Sequence, residues 1–220
     1  MKTELIITKD GSHSLFVPEL NEIYHSTNGA IQESNHIFIQ SGLAQIAKKE
    51  ISILEIGFGT GLNAFLTLSY ALKNNLKINY FTIEKYPVEK NIVEKLNYVE
   101  LIDPAQKDTF QLLHNGAWNN SIKINQNFTF IKYQIDLNLF APYFSYDVIF
   151  FDAFAPDVQP ELWTKENFMK LYKNLNQGGN LTTYSAKGEV KRNLEACGFF
   201  VERIPGPPGK REIIRATKKP

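Results

Sequence analysis

The sequence predicts an α/β fold: a mostly parallel sheet with helices on both faces, ending in an antiparallel hairpin and preceded by a small β-rich extension over residues 1–50. Three observations carry this. The apolar run Ile51-Ser-Ile-Leu-Glu-Ile56 reads as a buried strand, followed by a tight glycine loop (Gly57, Gly59, Gly61) and a helical apolar pattern from Leu62. Beyond it, strand-like and helix-like stretches alternate, as parallel strands joined by crossover helices require. At the end the alternation stops. Phe199-Phe-Val-Glu-Arg-Ile204 and Arg211-Glu-Ile-Ile-Arg-Ala216 flank the turn-rich Pro205-Gly-Pro-Pro-Gly209, which reads as a hairpin.

The extension opens with two short apolar runs within residues 5–17, around Asp10-Gly11, a hairpin signal. Residues 22–25 and 36–39 are further short strand candidates, and 41–49 reads as a helix capped by Ser41. From residue 51 strands are expected at 51–57, 78–84, 128–134, 146–152 and 180–185, and helices at 62–73, 87–97, 161–175 and 187–196. Pro87 suits a first helical turn, where its missing N–H costs nothing. Gly178-Gly179 is expected to end the helix before the fifth strand. Trp163 is read as the start of a helix packed on the sheet. Residues 98–127 show no periodicity that assigns them an element.

Composition sets the outer bounds. A chain of 220 residues with 43% hydrophobic and 21% charged residues is one globular domain's worth of sequence, residues 51–220, with the extension packed on it. No apolar run approaches the ~20 residues that span a bilayer, so no membrane is expected. The charged Met1-Lys-Thr-Glu start is no signal peptide, and a cytoplasmic protein is expected. The single cysteine, Cys197, is read as a packed residue. His13, His25, His36 and His114 have neither metal-ligand spacing nor triad partners, so no metal is expected and none is given a role. Net charge is +1, but nine of the 24 Lys/Arg lie beyond residue 186, against four acids there, leaving the rest net acidic. That polarity suits contact with a polyanion at the C-terminal end, or simply a solvated surface. A monomer is the working expectation.

Open α/β sheets bind ligands beyond the carboxyl ends of their strands. Four acids sit at or near such ends: Glu55, Glu84, Asp136 and Asp152. The glycine spacing separates ligand classes. A dinucleotide loop needs a third glycine where Leu62 stands, and no Gly-Lys-Ser/Thr follows to make a P-loop. Glu-x-Gly-x-Gly-x-Gly instead resembles motif I of S-adenosylmethionine-dependent methyltransferases. With that donor as ligand, Glu84, 23 residues after Gly61, would accept the ribose hydroxyls. Asp136 would meet the adenine edge, and Glu55 would orient the loop or the methionine ammonium. The helix N-terminus at Leu62-Asn63 would offer N–H groups to the methionine carboxylate.

Asp152 emerges from Val148-Ile-Phe-Phe151 where the donor methyl would point, and is the candidate catalytic group. Ala153-Phe-Ala-Pro156 loosely resembles the Asp/Asn-Pro-Pro-Tyr loop of amino-methyltransferases. A carboxylate there can hydrogen-bond an amine, aim its lone pair and take a proton. Phe154 would wall the pocket or stack on a base, or else simply fill the core. Tyr184 ends the fifth strand on the acceptor side.

Together these segments resemble one family, the tRNA wobble-uridine methyltransferases that complete 5-methylaminomethyl-2-thiouridine. The matching stretches are Gly57-Phe-Gly-Thr-Gly-Leu-Asn63, Thr82-Ile-Glu-Lys85, Phe151-Asp-Ala-Phe-Ala-Pro156 with Pro160-Glu-Leu-Trp163, Thr183-Tyr-Ser-Ala-Lys-Gly188, Gly198-Phe199 and Pro205-Gly-Pro-Pro-Gly-Lys-Arg-Glu212. Upstream, Glu22-Ile-Tyr-His25 and Ser34-Asn-His-Ile-Phe38 are similar to the family's N-terminal strands. The resemblance implies a Rossmann-like class I methyltransferase fold with a seven-stranded sheet. It implies methyl transfer from S-adenosylmethionine to the amine of 5-aminomethyluridine in tRNA, with Asp152 catalytic. It places the donor on Gly57, Gly59, Gly61, Asn63, Glu84 and Asp136, and makes Lys187, Lys210 and Arg211 phosphate contacts of the tRNA. By their positions in the sequence, Glu55 and Phe58 complete the candidate donor site, and Phe154 and Tyr184 the candidate substrate site. Many relatives carry a fused flavin oxidase that this chain lacks, so only methylation is expected of it. Competing readings are an aminopropyltransferase of spermidine-synthase type, a noncatalytic tRNA-binding module, and a nicotinamide oxidoreductase, the last disfavoured by Leu62.

Overall fold

The apolar run at residues 51–56 becomes the middle of an eight-stranded sheet, because it can bury both of its faces. The computed structural model describes residues 2–219. Its strands are β1 (Glu4–Ile7), β2 (His13–Val17), β3 (Glu22–Ile23), β4 (Glu50–Ile56), β5 (Lys77–Glu84), β6 (Ser121–Asn125), β7 (Phe128–Gln134), β8 (Tyr146–Phe151), β9 (Leu175–Thr183), β10 (Phe200–Pro205) and β11 (Glu212–Thr217). The first three pair antiparallel as a small separate sheet. The large sheet runs β10-β11-β9-β8-β4-β5-β7-β6. Its five central strands are parallel, and the edges β10, β11 and β6 are antiparallel.

Side chains alternate across a strand, so β4 feeds two cores. Ile51 and Ile53 join Tyr80, Phe128, Phe130 and Phe150 on one face. Leu54 and Ile56 join Ile83, Ile149 and Phe151 on the other. All six residues of β8 are buried, as a parallel strand covered on both sides demands. The helices are α1 (Ala30–Ser34), α2 (Leu62–Asn74), α3 (Lys90–Val93), α4 (Tyr98–Ile102), α5 (Lys107–Asn115), α6 (Lys165–Asn174) and α7 (Gly188–Ala196). Helices α2, α4 and α5 cover the first face, together with Leu15, Ile37 and Phe38 of the N-terminal segment. Helices α6 and α7 cover the second through Phe168, Leu171, Val190 and Leu194. Trp163, just ahead of α6, packs its ring 4.7 Å from that of Phe151.

Several local expectations are corrected. Residues 36–39 form no strand. They lie in a π-helical stretch, Asn35–Gln40, that continues α1 and closes with the Ser41 N–H donating to His36 O. A short apolar run fits a buried helix as well as a strand, and Phe38 here meets Phe150 on the sheet at 5.3 Å. The helix expected at 41–49 is a single 3-10 turn, Leu43–Gln45, with no cap from Ser41. Gly42 is pressed so close that an added Cβ would lie 2.6 Å from Phe38 O. The helix expected from Pro87 begins only at Lys90 and lasts four residues. Residues 98–127 supply α4, α5 and β6, an eighth strand beyond the expected seven. Gly178 and Gly179 end no helix, since α6 stops at Asn174. They lie inside β9, where Gly178 takes φ +75° and the pairing with β8 shifts register.

The chain runs outward from β4 through β5 to β7, then returns to the other side of β4 as β8. The strand order therefore reverses beside β4, and the carboxyl ends of β4, β5 and β8 open a crevice there.

Candidate active site

A cavity of about 890 Å³ fills that crevice, a volume suited to a nucleoside-sized ligand with room beside it. Its floor is the glycine loop. The Gly57 N–H donates to Ile83 O at 2.9 Å, and a Cβ on Gly57 would lie 2.5 Å from Asp152 O. The loop is thus clamped between the ends of β5 and β8. Gly61 takes φ +74° at the start of α2, with His114 Nε2 where its Cβ would be.

Glu84 ends β5 and lies against this loop. Its Oε2 accepts the Gly59 N–H at 3.0 Å, and its Oε1 accepts the Tyr86 N–H at 2.7 Å. Burial raises its pKa, against the opposing pull of those backbone donors. Asp136 also lines the cavity. Burial would raise its pKa, but Lys85 at 2.8 Å and the Asn138 N–H leave it below the ordinary value.

Asp152 follows β8. Its Oδ2 accepts the Asn63 side-chain N–H at 2.8 Å. Burial pushes its pKa up to about 7. The Asn63 bond pulls down, nearby Glu33 pushes up and Lys210 pulls down. Phe154 stands beside it, edge-on to Tyr24 at 5.1 Å, its carbonyl held by Trp163 Nε1. The Tyr184 hydroxyl donates to Ala153 O at 2.8 Å.

The structure brings together Gly57, Phe58, Gly59, Asn63, Glu84, Asp136, Asp152, Phe154, Tyr184 and Lys210 on the cavity wall. Four expected site residues are elsewhere. Gly61 lies behind the loop. Glu55 shares the parity of Ile51 and Ile53, so it points under α2 and is wholly buried, with neither oxygen hydrogen-bonded. Burial raises its pKa well above the ordinary value. Lys187 is ion-paired with Asp157, and Arg211 is exposed outside the cavity. Lys210 faces inward, 3.4 Å from Glu33. Most of the C-terminal cations are likewise paired within the chain: Lys191 with Glu195, Arg203 with Glu212 and Arg215 with Glu202. Sequence reasoning missed Tyr24 and Glu33, wall residues from the N-terminal segment. Tyr24 lies in the Glu22–His25 stretch, to which the sequence assigns no role, and Glu33 lies in no motif; only their placement over the crevice marks them.

Among the described residues no group of three or more His, Cys, Asp or Glu is placed to hold a metal, and no helix is long and apolar enough to cross a membrane.

Residues 103–219 match the model of a family described as S-adenosyl-L-methionine-dependent methyltransferase. The chain belongs to that family. S-adenosylmethionine is accordingly the methyl donor of this methyltransferase. The cavity fits the donor: at Gly57 and Gly59 bare backbone faces it, where a Cβ would strike Asp152 O or the Tyr24 ring, and the Glu84 carboxylate lies alongside.

Two relatives are both named "tRNA 5-methylaminomethyl-2-thiouridine biosynthesis bifunctional protein MnmC". The one from Campylobacter hominis is 31% identical over 209 residues, covering 92% of this chain and 31% of the relative. The one from Campylobacter fetus is 30% identical, covering 92% and 34%. The methyltransferase thus spans about a third of the length of these curated relatives. The crystal structure of MNMC2 from Aquifex aeolicus superposes with a TM-score of 0.80 at 25% identity, over all of this chain and 72% of that one. Spermidine synthase from Thermotoga maritima shares the fold, with a TM-score of 0.56 at 13% identity over all of this chain and 72% of its own.

Proposed function

We propose that the methyltransferase acts on tRNA, methylating the amine of 5-aminomethyl-(2-thio)uridine at the wobble position to give 5-methylaminomethyl-(2-thio)uridine. The observation that carries this reading is Asp152 itself: a carboxylate with pKa near 7, aimed by Asn63 into a cavity lined by Glu22, Glu33, Glu84, Asp136, Asp152 and Glu161 against only Lys85 and Lys210. Such a cavity favours a sulfonium donor and an amine acceptor, both cationic. The names of the relatives supply the nucleoside.

On this reading Glu84 accepts the donor ribose hydroxyls with the lone pairs left free by Gly59 and Tyr86. Gly57, Phe58, Gly59 and Gly61 shape the loop under the donor, and the α2 N-terminus with Asn63 faces its methionine end. Asp136 reaches the adenine side. Glu55 lies beneath the loop, wholly buried, and does not touch the donor. When bound, S-adenosylmethionine would supply a sulfonium-activated methyl group for displacement by the acceptor nitrogen. Asp152 removes one proton from the acceptor ammonium beforehand and orients the freed lone pair. Phe154 and Tyr184 wall the uridine side. Lys187 and Arg211 lie toward the tRNA phosphates, outside the acidic cavity.

The test is methyl transfer from labelled S-adenosylmethionine to tRNA carrying 5-aminomethyluridine, with unmodified tRNA and putrescine in parallel. Label in the wobble nucleoside supports the reading. Label in putrescine alone, or in none, overturns it.

A further inference from the structure

Glu33 belongs to no motif, yet it is held with care. It lies on α1, its side chain 10% exposed, on the cavity wall near Asp152. Its Oε2 accepts the Ser26 N–H at 2.6 Å, and its Oε1 faces Lys210 Nζ at 3.4 Å. Lys210 comes from the opposite end of the chain, in the loop between β10 and β11, and its ammonium also lies 4.8 Å from the Tyr184 ring. The two segments are fastened around the pair: His36 Nε2 meets Pro205 O at 2.9 Å, and Gly209 packs on the Asn28 side chain. A carboxylate has about four acceptor sites, so these two partners leave capacity toward the cavity. A buried carboxylate is costly unless it is paired and hydrogen-bonded, and in the resting pair Lys210 and the Ser26 N–H do this for Glu33.

We propose that Glu33 is a specificity-determining residue of the acceptor site: with Asp152 it forms a two-carboxylate mouth that selects an alkylammonium group, and Lys210 is its resting counter-ion. This rests on the amine-methylation reading. A cationic amine gains from both carboxylates, whereas a neutral hydroxyl or ring nitrogen gains little. The groups close enough to act on the charge of Asp152 are Glu33 from α1, Glu55 from β4, Asn63 from α2, Tyr80 from β5, Tyr184 after β9, and Lys210, with Asn63 in direct contact. Of these, Glu33 and Lys210 bear the opposed charges on the acceptor side. Removing the first must ease proton loss from Asp152, and removing the second must hinder it.

Two readouts test this in the full chain. With tRNA bearing 5-aminomethyluridine, Glu33→Gln is expected to raise KM for the tRNA about tenfold or more, with donor affinity unchanged, and Glu33→Asp to recover most of the loss. Carbon-13 carboxyl NMR, with the Asp152 resonance identified by its loss in Asp152→Asn, is expected to show Asp152 titrating at lower pH in Glu33→Gln and at higher pH in Lys210→Met. An unchanged KM, or Asp152 shifts of the same sign in both variants, overturns the proposal. Failure of the methylation reading looks different: the unmodified protein labels no tRNA, and the titration, which needs no substrate, then decides the role of Glu33.

Discussion

Asn63 donates its side-chain N–H to Asp152 Oδ2 at 2.8 Å, tying the first turn of α2 to the end of β8. Gly57 packs against the same segment, where an added Cβ would lie 2.5 Å from Asp152 O. The glycine loop and the proposed proton acceptor are therefore in direct contact, joined by this hydrogen bond and the close backbone packing.

Asp152→Ala should lower methyl transfer about 10²–10⁴-fold while leaving donor affinity within a few-fold. In the unmodified protein, kcat/KM should fall as pH drops through about 7, because the carboxylate must be ionised to take a proton. The stability effect has the opposite sense. A carboxyl raised from 3.8 to about 7 contributes stability that is lost as pH rises through that window. Asp152→Asn should thus melt higher than the unmodified protein well above pH 7, by roughly 2–4 °C for each kcal/mol relieved. Equal melting temperatures there would contradict the buried, proton-holding site.

Glu84→Gln keeps the shape but loses the charge that braces Gly59 and would hold two hydroxyls. Calorimetric titration should show S-adenosylmethionine binding weakened about tenfold to a hundredfold. Unchanged affinity would move the ribose site elsewhere.

Gly61→Ala should destabilise the fold by about 1–3 kcal/mol from backbone strain at φ +74°, before any steric clash is added. The added methyl also meets His114 Nε2, whose N–H donates to Thr60 O at 3.1 Å. Urea denaturation with and without donor would separate lost stability from lost binding.

Lys132 is wholly buried on β7, its ammonium on His114 O and 4.6 Å from the Trp118 ring. Burial lowers its pKa from 10.5 to about 8. The unfolded chain then binds more protons than the folded one between those values, so this group adds stability as pH rises from about 8 toward 10.5. Lys132→Met should remove that rise, seen as a flatter melting temperature across the same interval. A rise that persists would assign it to another group.

Arg211 is exposed, next to the inward-facing Lys210. Arg211→Glu should weaken tRNA binding and lower the slope of log K against log salt by about 0.7–0.9 for each phosphate that the variant no longer neutralises. An unaltered slope would place the phosphate surface elsewhere.

The strand, glycine loop and helix at residues 51–74 were readable because their signals are local: a hydrophobic period and positions where only glycine tolerates the backbone. The acids ending β5 and β8 were readable for the same reason, since a strand end fixes where its next side chain emerges. Other features depend on distant chain. Phe38 adopts a π-helix because it is wedged against Phe150, not because of its neighbours in sequence. Lys210 reads as a phosphate contact, yet it turns inward because Glu33 and Tyr184, supplied by other segments, stabilise its charge there. Glu55 was legible as an acid of the glycine motif, but strand parity buries it beneath α2. Local periodicity determined the sheet, the loop and the strand-end carboxylates. Tertiary packing alone decided which side chains share the cavity, because solvent exclusion and opposite charge act between residues the sequence sets far apart.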